Sequence, residues 1–183
     1  MIDDAILIWR FKRGSSDALA GIYEKYRDDM LRIAGSLLNP RCIGAAEDIV
    51  HDVFISFVRG REGFRLTGSL KGYLIKCVVN RVRNFNKSKA QNANCEFDDF
   101  DQIETRRELP ERWIIENEES KLLNDALAGL PYEQREAVVM HTFGNMRFRQ
   151  IAGLQDVSTK TAQSRYRYGI EKLRTLLDGK VTI

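Results

Sequence analysis

The sequence predicts an all-α protein built as two small helical domains joined by a flexible acidic linker. Three observations lead there. Apolar residues recur at three- and four-residue steps toward both ends of the chain, and no stretch shows the period of two that marks a half-buried strand. Between residues 91 and 117 the periodicity fails while Asn, Asp and Glu dominate, a composition that buries too little apolar surface to order itself. The expected boundaries are therefore 1–90, 91–117 and 118–183.

In chain order, Leu19, Ile22, Tyr23, Tyr26, Met30, Ile33, Ala34, Leu37 and Leu38 form the first stripe. Ser15 and Ser16 are its N-cap candidates and Asn39-Pro40 its stop. Ala46, Ile49, Val50, Val53, Phe54 and Phe57 mark a second amphipathic helix, whose other face carries Glu47, Asp48, His51 and Asp52. A glycine-punctuated loop follows from Gly60 to Ser69. The third stripe, Leu70, Tyr73, Leu74, Cys77, Val78, Val82 and Phe85, turns Lys76, Asn80, Arg83, Asn84 and Lys87 outward. After the linker, Leu122, Leu123, Ala126, Leu127 and Leu130 resume the helical period, and Pro131 restarts it as a first helical residue. A short helix near Phe148 to Leu154, a polar turn at Gln155 and Asp156, and a long helix from Ser158 or Thr159 outline a helix-turn-helix. Ala162, Tyr166, Ile170, Leu173 and Leu177 are the buried line of that last helix.

Composition narrows the function. The chain has 183 residues, 43% hydrophobic and 30% charged, and its apolar runs fall far short of the roughly 18 residues needed to cross a bilayer. The polar, acidic start lacks the apolar core of a signal peptide, so a cytoplasmic protein without membrane insertion is expected. Cys42, Cys77 and Cys95 lie far apart, and neither His51 nor His141 sits at ligand spacing from them. Neither a disulfide framework nor a metal site is expected. The net charge of +3 conceals an uneven distribution: +6 over residues 1–90, −7 over 91–120 and +4 over 121–183. Two basic blocks flanking an acidic spacer favour a polyanionic partner, nucleic acid first.

Residue types refine that reading. A helix entering the major groove needs donors and acceptors near its N-terminal half, and Ser158, Lys160, Thr161, Gln163, Ser164, Arg165 and Arg167 supply them. Arg bridges guanine acceptors and Gln pairs with adenine, whereas Lys160 suits a phosphate. On the third helix, Asn80 and Asn84 beside Lys76, Arg83 and Lys87 suit exposed base edges. The loop before it offers Arg61, Phe64 and Arg65 to an unstacked base, although a place in the core is the better reading of Phe64 and Tyr73. Asp48 and Asp52 share a helix face with His51, but no matching ligand motif appears on a second helix, so a protein-binding face is the better reading. His141 reads as a packed or surface histidine. No nucleophile elbow or phosphate-cradling loop supports an enzyme, and no cofactor is implied.

In this order the features resemble the extracytoplasmic-function (ECF) group of sigma-70-type sigma factors over nearly the whole chain. GSSDALAGIYEKYRDDMLRIA resembles the family's opening helix, and AEDIVHDVFISFV the helix that docks on the clamp helices of RNA polymerase. LKGYLIKCVVNRVRNFNKSK resembles the reader of the downstream, minus 10 promoter element. LPYEQREAVVMHTFGNMRFRQIAGLQDVSTKTAQSRYRYGIEKLRTLL resembles the domain that reads the upstream, minus 35 element. The resemblance assigns Asp48, His51, Asp52 and Phe54 to core polymerase, with His51 where Gln is common. It assigns Lys76, Asn80, Arg83, Asn84 and Lys87 to the minus 10 element, and Arg61, Phe64 and Arg65 to capture of a flipped base. Ser158, Lys160, Thr161, Gln163, Ser164, Arg165 and Arg167 fall on the minus 35 recognition helix. Core RNA polymerase, promoter DNA and an anti-sigma factor are the implied partners.

This chain departs from the family pattern at a few places. Asp156 stands where Gly is usual, Arg147 where a Ser-type cap is usual, and Gln150 where Glu is common. Gly169 interrupts the last helix, which costs about 1 kcal/mol relative to Ala in isolation. The alternative reading is a free-standing helix-turn-helix regulator whose N-terminal helices sense a ligand or dimerise.

Overall fold

A computed structural model describes residues 2–39, 42–66, 68–93 and 118–178 of the chain. The acidic linker expected over 91–117 therefore lies outside the described residues from position 94 onward. Among the described residues every regular element is a helix: α1 (Ile2–Lys12), α2 (Ser16–Leu37), α3 (Ala45–Arg59), α4 (Leu70–Ala93), α5 (Glu118–Ala128), α6 (Tyr132–Thr142), α7 (Phe148–Gln155) and α8 (Thr159–Asp178).

Helix α1 was not among the expected elements. It docks through Leu7, Ile8 and Phe11, whose ring stacks on Phe57 with centroids 4.5 Å apart. A polar clamp reinforces it: Asp4 accepts from Tyr26 at 2.8 Å and from Lys25 at 2.7 Å. Gly14 turns the chain with φ of 88°, and Ser15 caps α2 by accepting the Ala18 N–H at 3.3 Å. Helix α2 is the spine of the molecule. Ile22, Met30, Ile33 and Leu37 on it are fully enclosed, each such burial being worth about 1.5–3 kcal/mol.

All six stripe residues expected on α3 are buried, and α4 buries Leu70, Leu74, Ile75, Val78, Val79 and Val82 against α2 and α3. In the second half, α8 lies along α6 and crosses α7. Gly169 explains its own presence there: a Cβ would lie 2.7 Å from the Val138 side chain and 3.2 Å from the Gln134 carbonyl, so the missing side chain lets α8 approach α6. The turn between α7 and α8 survives its Asp, which adopts the left-handed conformation at φ 51°, while the Val157 N–H closes on the Ala152 carbonyl. Gln150 compensates for the absent Ser cap by accepting the Arg147 backbone N–H at 2.9 Å. His141 is packed, stacked on Phe148 and bonded through Nδ1 to the Met146 carbonyl.

The two halves are not apart. Helix α2 touches α5 and α6, and the buried apolar residues of both halves form one continuous cluster.

Candidate nucleic-acid interface

Three faces carry the residues singled out from the sequence, and the structure treats them differently. The face of α3 presents Asp48 and His51 to solvent and Asp52 half-exposed, because the apolar stripe holds the opposite side down. Asp52 forms an ion pair with Arg81 of α4, and the neighbouring Glu47 takes Arg27 of α2 at 3.0 Å. Exposed pairs of this kind contribute roughly 0–1 kcal/mol, so Asp52 is open to exchange partners. Ile55 and Val58 continue the face as exposed apolar residues one and two turns on. Phe54 is a correction. It is 5% exposed and meets Tyr23 edge-on at 4.8 Å, so it serves the core and not a docking surface.

Phe64 is the second correction. The loop before α4 does not leave it free to stack on a base: it is buried, edge-on to Phe57 at 5.1 Å and to Tyr73 at 5.0 Å. Tyr73 closes this aromatic cluster while keeping a third of its surface in water. Arg65 is exposed, whereas Arg61 is half-buried with a guanidinium nitrogen 3.3 Å from where a Gly14 Cβ would stand.

On α4, Lys76, Asn80, Asn84 and Lys87 face solvent as the 3.6-residue period requires. Arg83 does not. Its Nε and Nη2 donate to the two carboxylate oxygens of Glu136 on α6 at 2.7 and 2.6 Å, and its Nη1 donates to the Leu154 carbonyl on α7 at 2.7 Å. The bond to Glu136 raises the Arg83 pKa above its ordinary value despite the opposing effect of burial. Close by, burial foremost and the Glu136 charge next push the Tyr132 hydroxyl up to about 12. A cleft of about 370 Å³ opens beside this contact, between the first two turns of α4 (Gly72, Tyr73, Lys76) and α7 (Arg149, Gln150, Gly153).

The N-terminal half of α8 is open. Lys160, Gln163 and Arg167 are exposed, and Arg167 lies over the Tyr168 ring at 4.9 Å. Ser158 caps the helix, accepting the Thr161 N–H at 3.1 Å and sharing a hydrogen bond with the Thr161 hydroxyl. Ser164 is half-buried, and Arg165 donates to Gln155 Oε1 at 2.9 Å. Sequence reasoning missed Glu136 and read Gln155 only as part of the polar turn, yet together they connect Arg83 to Arg165. The signal available for Glu136 was one carboxylate directly before the apolar run Ala137–Met140. Among the described residues no group of three or more His, Cys, Asp or Glu side chains gathers as metal ligands do, and no helix is long and apolar enough to cross a membrane.

Comparison with known proteins agrees with this architecture. Residues 22–91 match the sigma-70 region 2 family and residues 120–173 the sigma-70 region 4 family. The ECF RNA polymerase sigma-E factor of Escherichia coli (strain K12) is 23% identical over 190 aligned positions, covering 98% of this chain and 95% of that protein. Its counterpart in Haemophilus influenzae is 21% identical, covering 98% and 96%. Among solved structures, CnrH in complex with the cytosolic domain of CnrY superposes with a TM-score of 0.66 at 18% identity, covering 97% of this chain and 98% of that one. The sigma factor RpoE of Bartonella quintana, in complex with the anti-sigma factor NepR, gives 0.62 at 21% identity, covering 84% and 91%. The chain belongs to the sigma-70 family of RNA polymerase sigma factors, in its ECF group.

Proposed function

We propose that this chain is a dissociable specificity subunit that brings core RNA polymerase to promoters and assists strand opening, contributing no catalytic residue of its own and acting in the cytoplasm. The observation that carries the reading is an exposed helix-turn-helix face joined, in one chain, to a region 2 fold. A free-standing regulator needs only the former. On this reading residues 1–90 and 118–183 are the two working domains and 91–117 the tether between them. Asp48, His51 and Asp52 dock on polymerase, with Ile55 and Val58 offering apolar contact beside them. Lys76, Asn80, Asn84 and Lys87 face the minus 10 strand with Arg65, and Arg83 joins them once released from Glu136. Lys160, Gln163 and Arg167 face the minus 35 duplex, with Arg165 beside them.

The chemistry required is recognition and charge neutralisation. Phosphate contacts by Lys and Arg fix register, and base-edge contacts by Asn, Gln and Arg select sequence. Extruding a base costs a few kcal/mol of stacking, which binding of the displaced strand offsets. An anti-sigma partner is part of the proposal, supported by the NepR complex of the Bartonella quintana relative. Reconstitution with purified core polymerase on a genomic promoter library tests the whole reading. Initiation dependent on this chain is the expected result; specific duplex binding without initiation would overturn it in favour of the free-standing regulator.

A further inference from the structure

We propose that the Arg83–Glu136 contact is an autoinhibitory latch, which draws the helix-turn-helix half onto the Arg83 edge of the minus 10 face and leaves the minus 35 face open. The inference rests on the assignment of α4 to the minus 10 strand made above. Glu136 is 1% exposed, and a carboxylate so enclosed is costly unless it is paired and fully hydrogen-bonded. Its pairing comes across the halves: Arg83 grips both oxygens, and Gln155 Nε2 donates to Oε2 at 2.9 Å. The third guanidinium nitrogen of Arg83 is used as well, on the Leu154 carbonyl, an acceptor left over at the end of α7. Every nitrogen with which Arg83 would hold a phosphate or a base is therefore occupied by the other half. The fork-to-fork geometry is the one a guanidinium adopts on a phosphate, so Glu136 occupies the place of the nucleic acid.

The masking reaches past one side chain. Helix α7 stands over the first turn of α4, with the Gln150 amide nitrogen 3.9 Å from where a Gly72 Cβ would lie. Gln155 accepts from Arg165, so one chain of hydrogen bonds runs from the masked helix to the base of the open one. The halves also meet through buried apolar residues where α2 packs on α5 and α6, and Arg32 of α2 lies over the Phe143 ring at 5.9 Å. A latch of this composition opens when a competing polyanion takes Arg83, and opening carries Glu136 toward water, where its charge is tolerated.

The test uses the full chain, a fluorescein-labelled single-stranded DNA 15-mer of random sequence, a random-sequence duplex, and small-angle X-ray scattering. Removing the latch charge by Glu136→Gln is expected to enlarge the radius of gyration. It should tighten single-strand binding by about 5- to 10-fold, as expected when a binding-competent state rises from a minor to a major population. Duplex binding through α8 should stay within about 2-fold, since its exposed residues do not change. Gln155→Ala, which removes one donor from Glu136 and leaves the ion pair, should shift both readouts the same way by about 2-fold, and it stands in if circular dichroism shows Glu136→Gln unfolded. Unchanged scattering overturns the latch. Expansion without tighter single-strand binding overturns the masking. Failure of the wild-type chain to initiate with core polymerase is a separate result, which removes the promoter reading and leaves the scattering outcome standing.

Discussion

Helices α4 and α8 carry similar inventories, mixing Lys, Arg and amide side chains on one outward face, yet they stand in opposite situations. On α8 the reading side chains near the N-terminus point into solvent and touch little beyond their own helix-turn-helix unit. On α4 the one bidentate cation is held by a carboxylate 53 residues away in sequence. Composition tells what a face can bind; only tertiary pairing tells whether it is available. An exposed helix face can meet duplex DNA as a rigid body, whereas a face whose guanidinium is held by the rest of the chain must exchange that contact first.

The open face depends on the apolar scaffold beneath it. Ile151 is fully buried in α7. Ile151→Ala is expected to cost about 2–5 kcal/mol, measured by urea denaturation, and to abolish duplex binding while α3 still docks on core polymerase. Loss of docking in the same variant would mean that the halves unfold as one unit and that their difference is one of exposure alone. A sharper cut is Gln163→Ala, which touches only the open face. It should cost about 1–3 kcal/mol at a single base pair of the upstream element and little at the others, read by competition among promoter variants. Arg165→Ala should discriminate less, because Arg165 must first leave Gln155. Equal losses at every base pair would make both phosphate contacts.

The docking face of α3 should respond in affinity with little change in stability. Asp52→Arg sets like charge against Arg81 on a half-exposed surface, which changes the unfolding free energy by no more than about 1 kcal/mol. Core polymerase binding, followed by anisotropy, should weaken. Unchanged affinity would remove Asp52 from the interface and leave Asp48 and His51 as the candidates.

How much was legible follows from where each signal resides. Helices α2, α3 and α8 could be read because their buried residues keep a single stripe, and the stripe on α3 already placed Phe54 inside. The resemblance to sigma factors placed that residue at the polymerase surface, and burial decides for the stripe. Helix α1 escaped because Ile6 and Trp9 are 52% and 55% exposed, so apolar residues appear on both of its faces and blur the period. Gly169 looked like a helix defect until the distance to Val138 showed a close approach between two helices. The latch was invisible for a deeper reason. Periodicity reports which way a residue points within its own helix, and Arg83 points outward as expected; what it meets there depends on how two helices far apart in sequence come together.

A further long-range polar contact secures α1, and its strength can be read from the pH dependence of stability. Tyr26 is enclosed, and its hydroxyl donates to Asp4. Burial first, then the bond to Asp4, push that hydroxyl from 10.0 up to about 12. Burial alone would raise the Asp4 carboxyl, but the bonds from Lys25 and Tyr26 outweigh it and hold the group below its ordinary 3.8. The signs then follow from linkage. Tyr26 contributes stability below pH 10 that is lost as the pH climbs toward 12, because the unfolded chain releases that proton first. Asp4 contributes stability above its ordinary value that is lost as the pH falls through its lower folded value. Tyr26→Phe should therefore cost about 1.5 kcal/mol near neutrality and flatten the decline between pH 10 and 12, with Tyr132 supplying the slope that remains. Thermal melts across that window would check it. A slope unchanged by the substitution would mean that the clamp on α1 rests on Lys25 and Asp4 without the tyrosine, and that α1 is held chiefly by Phe11 on Phe57.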